Sequence, residues 1–521
     1  MLSPFNAILA LTAASLFTLC SASSLLLADP HHLPPLDPAE TLLPIDAQQV
    51  ERVAALSVEQ YTDADAWPHV AHTVRATGTL RIVVMGMSTT SGCGAHDPLK
   101  TCDPDASWAR RMHDLLASAL HALPSAPRLN SRISFKNAVS PLFYESCIAE
   151  YAPADTDVVL LEVVQSILFD IRLSSPWDGV RALLRALRRA VPRAAVALVA
   201  LPQPHQIDQT DFWESLRRLA VEEACDVIQT VPAMQHPLPT LALEHGGVNA
   251  WRPSRFALGP QAIDMWYAHK DPGSSRPDHH PSGAGHQLLG HLTASYVLRR
   301  LQNATASRRA ARDGVATPEM RGGRLREVCF HDGELPVGKG SIGFELRDEG
   351  TPGQGVKKMG LVSRHIGDVL RIGPVRARDL GGVERQRECT LVTSRLGYFT
   401  TSHPGQGALL LSCQGCTCLA FNDSTRFTPG FLPFPLVRTD NLLHVQAMPG
   451  GKNYSGTATT VFHMVMRRDE PCYVVARHVR GRKEHHEAPQ RPSHVRVDSF
   501  AVSVDSMIKG VAIDSCGIGV D

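Results

Sequence analysis

Between Leu80 and about Gln302, short apolar runs alternate with amphipathic helical segments, and this alternation restricts the fold more than any other feature of the chain. The runs are Leu80 to Met85, Ile133 to Phe135, Val158 to Leu161, Ala194 to Ala200 and Val227 to Val231. Between them, Asp105 to Leu120 keeps Trp108, Met112, Leu115 and Leu116 on one helical face. Another helix opens at Ser175-Pro176, a cap followed by proline at the first helical position, and stripes Val180, Leu183, Leu184, Leu187 and Val191. Its arginines 181, 185, 188 and 189 read as the solvated face. Strand and helix in alternation predict an α/β domain over 80–302, a parallel sheet of about five strands covered on both faces as three layers.

A linker over 303–326 follows, where Arg308, Arg309, Arg312, Gly314, Gly322 and Gly323 break any apolar period. Beyond it lie short strand-like runs separated by Gly, Pro, Asn and Asp: Ala408 to Ser412, Leu443 to Met448, Thr459 to Met466, Cys472 to Val479 and Val495 to Val504. Several alternate, as where Arg496 and Asp498 interleave with Val495 and Val497. They predict a β-sandwich over 327–508, with 509–521 as a tail. The basic run Arg480 to His494 reads as an exposed loop.

From Pro4 to Ala28 there is no charge, and Cys20-Ser21-Ala22 offers a small-residue cleavage context. Residues 1–28 therefore read as a signal peptide, with a signal-anchor as the rival because the stretch approaches the ~20 residues that span a bilayer. Either places the chain in the secretory pathway: secreted, or anchored in a Golgi or cell-surface membrane. Residues 29–79 open with Pro30, Pro34, Pro35 and Pro38 and read as a stem or wrapping segment. Sequons at Asn303, Asn422 and Asn453 suit that compartment. The 52 basic and 51 acidic side chains leave a formal charge of +1, which argues against a nucleic-acid partner and against a polybasic membrane surface. A membrane partner is expected only if the N-terminal segment is an uncleaved anchor.

The first run ends in Gly86-Met87-Ser88-Thr89-Thr90-Ser91-Gly92, where a parallel sheet presents its carboxyl edge and crevice. Ser88, flanked by glycines that permit a tight turn, is a candidate nucleophile; a serine-rich capping turn is the plainer alternative. A nucleophile needs a base. Asp278-His279-His280-Pro281-Ser282-Gly283-Ala284-Gly285-His286 precedes an amphipathic helix at the far end of the same domain. A histidine held beside an acid can take the serine proton.

Gly86-x-Ser88-x-Thr90-x-Gly92 and the late Asp/His-Pro-Ser-x-x-Gly-His segment together resemble the SGNH, or GDSL-type, hydrolases, over about residues 80 to 302. The chain also looks like secreted algal or plant-like members with a C-terminal β-rich domain, through Asp157 to Glu162, Leu396 to His403 and Cys413 to Cys418. The resemblance implies Ser88 as nucleophile, His280 as general base, Asp278 as its orienting acid and His286 packed on the helix. It implies a serine esterase acting on an ester-bearing small molecule or a glycan O-acyl group, with no cofactor and no metal.

Four departures stand out. Met87 replaces the usual Asp, and Asp278-x-His280 is one residue shorter than the usual acid-x-x-His. The second-block region, Asn137-Ala138-Val139-Ser140, lacks glycine, and Glu162 to Ser166 lacks the family's asparagine. Asn137, Gln165 and Ser166 are thus the oxyanion candidates, Gln165 through an amide and Ser166 through a hydroxyl. Loss of one oxyanion donor costs roughly 2.7–4 kcal/mol in related chemistry. A degenerate, non-catalytic glycan-binding or cell-surface protein is the alternative function.

Cys413-x-x-Cys416-x-Cys418 has half of a zinc pattern, but no partner pair at finger spacing follows and the expected lumen is oxidising, so disulfides are expected. Cys93 and Cys102 close a short loop just after Ser88. Removal of Cys20 from the 12 cysteines would leave an odd number, hence one unpaired or intermolecular thiol.

Overall fold

The computed structural model describes residues 57–503 apart from 63–64, 97–101, 124, 138, 166–176, 202–209, 231–265, 270–276, 307–326, 332–333, 351–357, 381–388, 402–407, 422–435, 439–442, 446–454 and 480–493. Residues 1–28, expected to be a signal or anchor, lie outside the described residues, as do most of the expected linker, the Arg480 segment and 509–521. So do Ser166, Ser175, Pro176 and two of the three sequons.

The first half contains β1 (Val58–Glu59), α1 (Ala66–Thr77), β2 (Thr79–Gly86), α2 (Trp108–His121), β3 (Arg128–Phe135), α3 (Pro141–Ser146), α4 (Ile148–Tyr151) and β4 (Val158–Glu162). It continues with α5 (Asp178–Ala190), β5 (Ala195–Ala200), α6 (Thr210–Glu222), β6 (Asp226–Gln229), β7 (Tyr267–His269), β8 (Pro277–Pro281) and α7 (Gly283–Ala306). The sheet runs β1-β6-β5-β4-β2-β3, parallel throughout except for β1. The five parallel strands are the five apolar runs. β4 and β5 are buried along their whole length, as strands covered on both faces must be. β3 is an edge strand in which exposed and half-buried residues alternate, so only its last residues register as an apolar run.

Of the segment read as a stem or wrapping segment, 29–79, the described C-terminal end packs onto the α/β domain. α1 buries Trp67, Val70 and Val74 in the α/β core. Asp226 on β6 accepts the N–H groups of Tyr61 and Thr62, each at 2.7 Å, and the Tyr296 hydroxyl at 2.8 Å. A fully buried carboxylate with several donors is satisfied as burial requires. Of the α5 arginines read as a solvated face, Arg189 is exposed, while the other three are half-buried and carry partners. Arg181 pairs with Glu222 and Arg185 with Glu223 at the end of α6, and Arg188 donates to the carbonyl of Ala194.

The second half is all antiparallel: β9 (Glu327–His331), β10 (Glu345–Asp348), β11 (Met359–Ser363), β12 (Val369–Val375), β13 (Cys389–Thr401), β14 (Ala408–Gln414), β15 (Cys416–Phe421), β16 (Leu436–Arg438), β17 (Leu443–Val445), β18 (Ser455–Arg467), β19 (Cys472–Val479) and β20 (Val495–Ser503). One sheet follows β10-β11-β20-β13-β18-β15-β16, with β9 on β20, and another follows β12-β19-β14-β17. Ile372, Leu409 and Val474 of the smaller sheet enter one apolar cluster with Val392, Phe462 and Phe500 of the larger. β20 is buried on both faces. Arg496, read as the polar side of an alternating strand, is buried and pairs with Asp498 at 2.6 Å.

Contacts around α3 and α4 join the halves. Cys147 is disulfide-bonded to Cys329, Glu145 forms a buried ion pair with Arg395, and Glu150 meets His331 at 2.9 Å. Elsewhere Cys93 pairs with Cys102, Cys413 with Cys418 and Cys416 with Cys472. Among the described residues Cys225 is the free thiol, and burial pushes it up to about 12.

Candidate active site

In a doubly wound sheet the crevice lies outside the carboxyl ends of the strands where the order reverses. Here that point falls between β2 and β4, neighbours whose chain connections leave in opposite directions. Ser88 is two residues beyond the end of β2. The chain then makes a compact turn in which Met87 and Ser88 carbonyls accept from the N–H groups of Ser91 and Cys93.

His280 arrives from the other side on β8, a strand paired with β7. Its Nε2 lies 2.8 Å from Ser88 Oγ, and both side chains are half-buried, so solvent reaches them. That is the separation a general base needs to remove the hydroxyl proton. Gly94 makes the approach possible. Its φ is +89°, and a Cβ there would meet the Pro281 carbonyl at 2.4 Å and His280 Cβ at 2.9 Å. Asp278 lies in β8 two residues before His280; its side chain is outside the described residues.

The oxyanion candidates separate. Asn137 reaches the turn that follows Ser88, where its Oδ1 accepts from Ser91 Oγ at 3.0 Å and its Nδ2 lies 3.6 Å from Cys93 Sγ. Gln165, buried, bridges the sequence neighbours of Ser88 and His280: Nε2 donates to the His279 carbonyl at 3.2 Å, and Oε1 accepts from Thr89 Oγ1 at 3.5 Å. Ser166 lies outside the described residues.

His286, on the first turn of α7, is fully buried. Its Nδ1 accepts the Trp108 N–H at 3.2 Å and its Nε2 donates to the Cys93 carbonyl at 3.1 Å, which defines a neutral ring. Burial pushes its pKa down to about 3.

The sequence reading passed over Glu162. It ends an otherwise apolar strand, and its Oε2 accepts the Met87 N–H and the Thr90 hydroxyl, each at 3.0 Å. Burial raises its pKa to about 7, with those hydrogen bonds opposing. A lone carboxylate closing the run Val158 to Leu161 at the sheet's carboxyl edge was the available signal. Gly86 has a related reason. A Cβ there would sit 1.8 Å from Thr90 Oγ1, so the absent side chain leaves room for the threonine hydroxyl. The Gly86 carbonyl accepts from the Lys136 N–H and from the Tyr144 hydroxyl on α3.

The strand order and the serine–histidine pair at its reversal point fit an SGNH-like α/β domain. No protein-family model matches the chain, and no curated protein matches it. Among solved structures it is similar to a two-domain esterase active on acetylated mannans, at 12% identity over 88% of this chain and 98% of that one, with a TM-score of 0.44. It is similar to a peptidoglycan O-acetylesterase at 10% identity, over 47% of this chain and 99% of that one, TM-score 0.33. A member of the lipolytic protein G-D-S-L family from Veillonella parvula is 16% identical, over 41% of this chain and 96% of that one, TM-score 0.26.

Proposed function

We propose that the chain is a serine esterase of SGNH type acting on acyl esters, with glycan O-acyl groups as the substrate class that the sequence resemblance implies. The observation that carries this is the 2.8 Å contact between Ser88 Oγ and His280 Nε2 at the sheet's crevice. It supports the enzymatic reading over the glycan-binding alternative, which needs no such contact.

In the first half-reaction Ser88 Oγ attacks the ester carbonyl carbon while His280 Nε2 takes the hydroxyl proton. The tetrahedral intermediate collapses, the C–O bond to the alcohol breaks, and His280 returns the proton to the departing oxygen. Water then attacks the acyl-Ser88 carbonyl carbon while His280 takes its proton; the acyl C–Oγ bond breaks, His280 returns the proton to Ser88 Oγ, and the acid is released. Asp278 is assigned to hold the ring, from its place two residues away on the same strand. The oxyanion is assigned to the Ser88 backbone N–H and the Gln165 amide, with Asn137 and Ser166 as the other donors at that edge. The disulfides and the uncharged N-terminal segment support a secretory location. The shared core of the two antiparallel sheets supports the reading of 327–508 as an appended β-sandwich.

Hydrolysis of p-nitrophenyl acetate and of an acetylated polysaccharide by parent, Ser88→Ala and His280→Ala proteins tests this. Turnover confined to the parent is expected; equal turnover in all three would overturn it.

A further inference from the structure

Glu162 is fully buried, and the hydrogen bonds it makes all go to one turn. Its carboxylate accepts the Met87 N–H, the Thr90 hydroxyl and the Thr90 N–H. Ser88 sits between these anchor points. Among the described residues no cation pairs with it, and a buried carboxyl without a cation lowers stability relative to an apolar residue. Its position and its partners are therefore explained by what it does to the turn.

We propose that Glu162 is a positioning residue of the esterase site: by fixing the backbone on both sides of Ser88 it holds Oγ within hydrogen-bonding reach of His280. The inference rests on the esterase reading above. Thr90 completes the device, since its hydroxyl occupies the space left over Gly86. The titratable group facing Glu162 is the Tyr144 phenol on α3, which burial and this carboxylate hold well above its ordinary value, so it stays neutral. The turn itself offers only uncharged donors. An ionised carboxylate is the stronger acceptor, so the grip on the turn tightens as Glu162 loses its proton.

Glu162→Ala and Glu162→Gln test this, with p-nitrophenyl acetate kinetics between about pH 5 and 9 and melting measured alongside. In Glu162→Ala kcat falls about 10- to 100-fold at nearly unchanged KM, the size expected when a reacting group is displaced by about 1 Å. Glu162→Gln keeps a carbonyl acceptor but cannot ionise. It retains more kcat than the alanine variant and shows a shallower rise of kcat between about pH 6 and 8. Both variants matching the parent in kcat at every pH, with Ser88→Ala inactive, would overturn the positioning role and leave the esterase reading standing. A raised KM at parental kcat would overturn it too. Should Glu162→Ala fail to fold, Glu162→Gln decides alone: parental kcat and pH profile refute the proposal. A parent protein with no turnover at all would instead remove the esterase reading, and the positioning role with it.

Discussion

At the scale of residues, the two histidines near Ser88 have different surroundings. His280 is half-buried and bonded to Ser88, whereas His286 is buried and bonded to two backbone groups. His286→Ala should lower the melting temperature by leaving the Trp108 N–H and the Cys93 carbonyl without their partner, at a cost of about 1–3 kcal/mol for each. His280→Ala should abolish turnover at an unchanged melting temperature. The His286 pKa is depressed from 6.5 to about 3, so its contribution is fully present above about 6.5 and is lost as pH falls toward about 3. Thermal melts of parent and His286→Ala should therefore converge on acidification. Glu162 runs the other way. Its pKa is raised from 4.5 to about 7, so the linked stability is complete below about 4.5 and lost as pH rises through about 7. The melting advantage of the parent over Glu162→Gln should shrink between about pH 5 and 8, by up to roughly 3 kcal/mol.

At the scale of elements, the end of β2 and the end of β4 form one unit, because Thr90 fills the place of a Gly86 side chain and bonds to Glu162. Gly86→Ala should cost several-fold in kcat and destabilise the fold. Combining it with Thr90→Ala should cost less than the two single changes added, by about 0.5–3 kcal/mol in a denaturation cycle. Strict additivity would mean that Thr90 does not occupy that space. The strands of the α/β sheet were legible because central parallel strands are apolar on both faces. β3 was legible only at its end, since an edge strand exposes half its residues. α1 was hidden by its polar side, with His69, His72 and Thr73 interleaving the buried Trp67, Val70 and Val74. The serine and histidine of the site could be read from motifs around the crevice. Gln165 could be read as an oxyanion candidate, but its contacts with Thr89 and the His279 carbonyl, and those of Glu162 with the turn, could not, because they depend on β4 standing beside β2, which no local pattern encodes.

At the scale of the whole molecule, the second half is fastened to the segment of α3 and α4, which also contacts the end of β2. Tyr144 on α3 bonds the Gly86 carbonyl, and the neighbouring Glu145 is paired with Arg395 of β13. Removal of one member of a buried pair leaves an uncompensated charge. Arg395→Ala should accordingly lower stability by about 3–5 kcal/mol in chemical denaturation. Loss of Cys147–Cys329, which spans 182 residues, should add up to about 5 kcal/mol on the chain-entropy model. No helix among the described residues is long and apolar enough to cross a membrane. The central claim is that Ser88 is an activated nucleophile. Intact-mass analysis and peptide mapping after treatment of the folded protein with a fluorophosphonate test it most directly. A single adduct on Ser88, absent from Ser88→Ala and from His280→Ala, is the result predicted; no adduct, or one on another residue that survives Ser88→Ala, would contradict it.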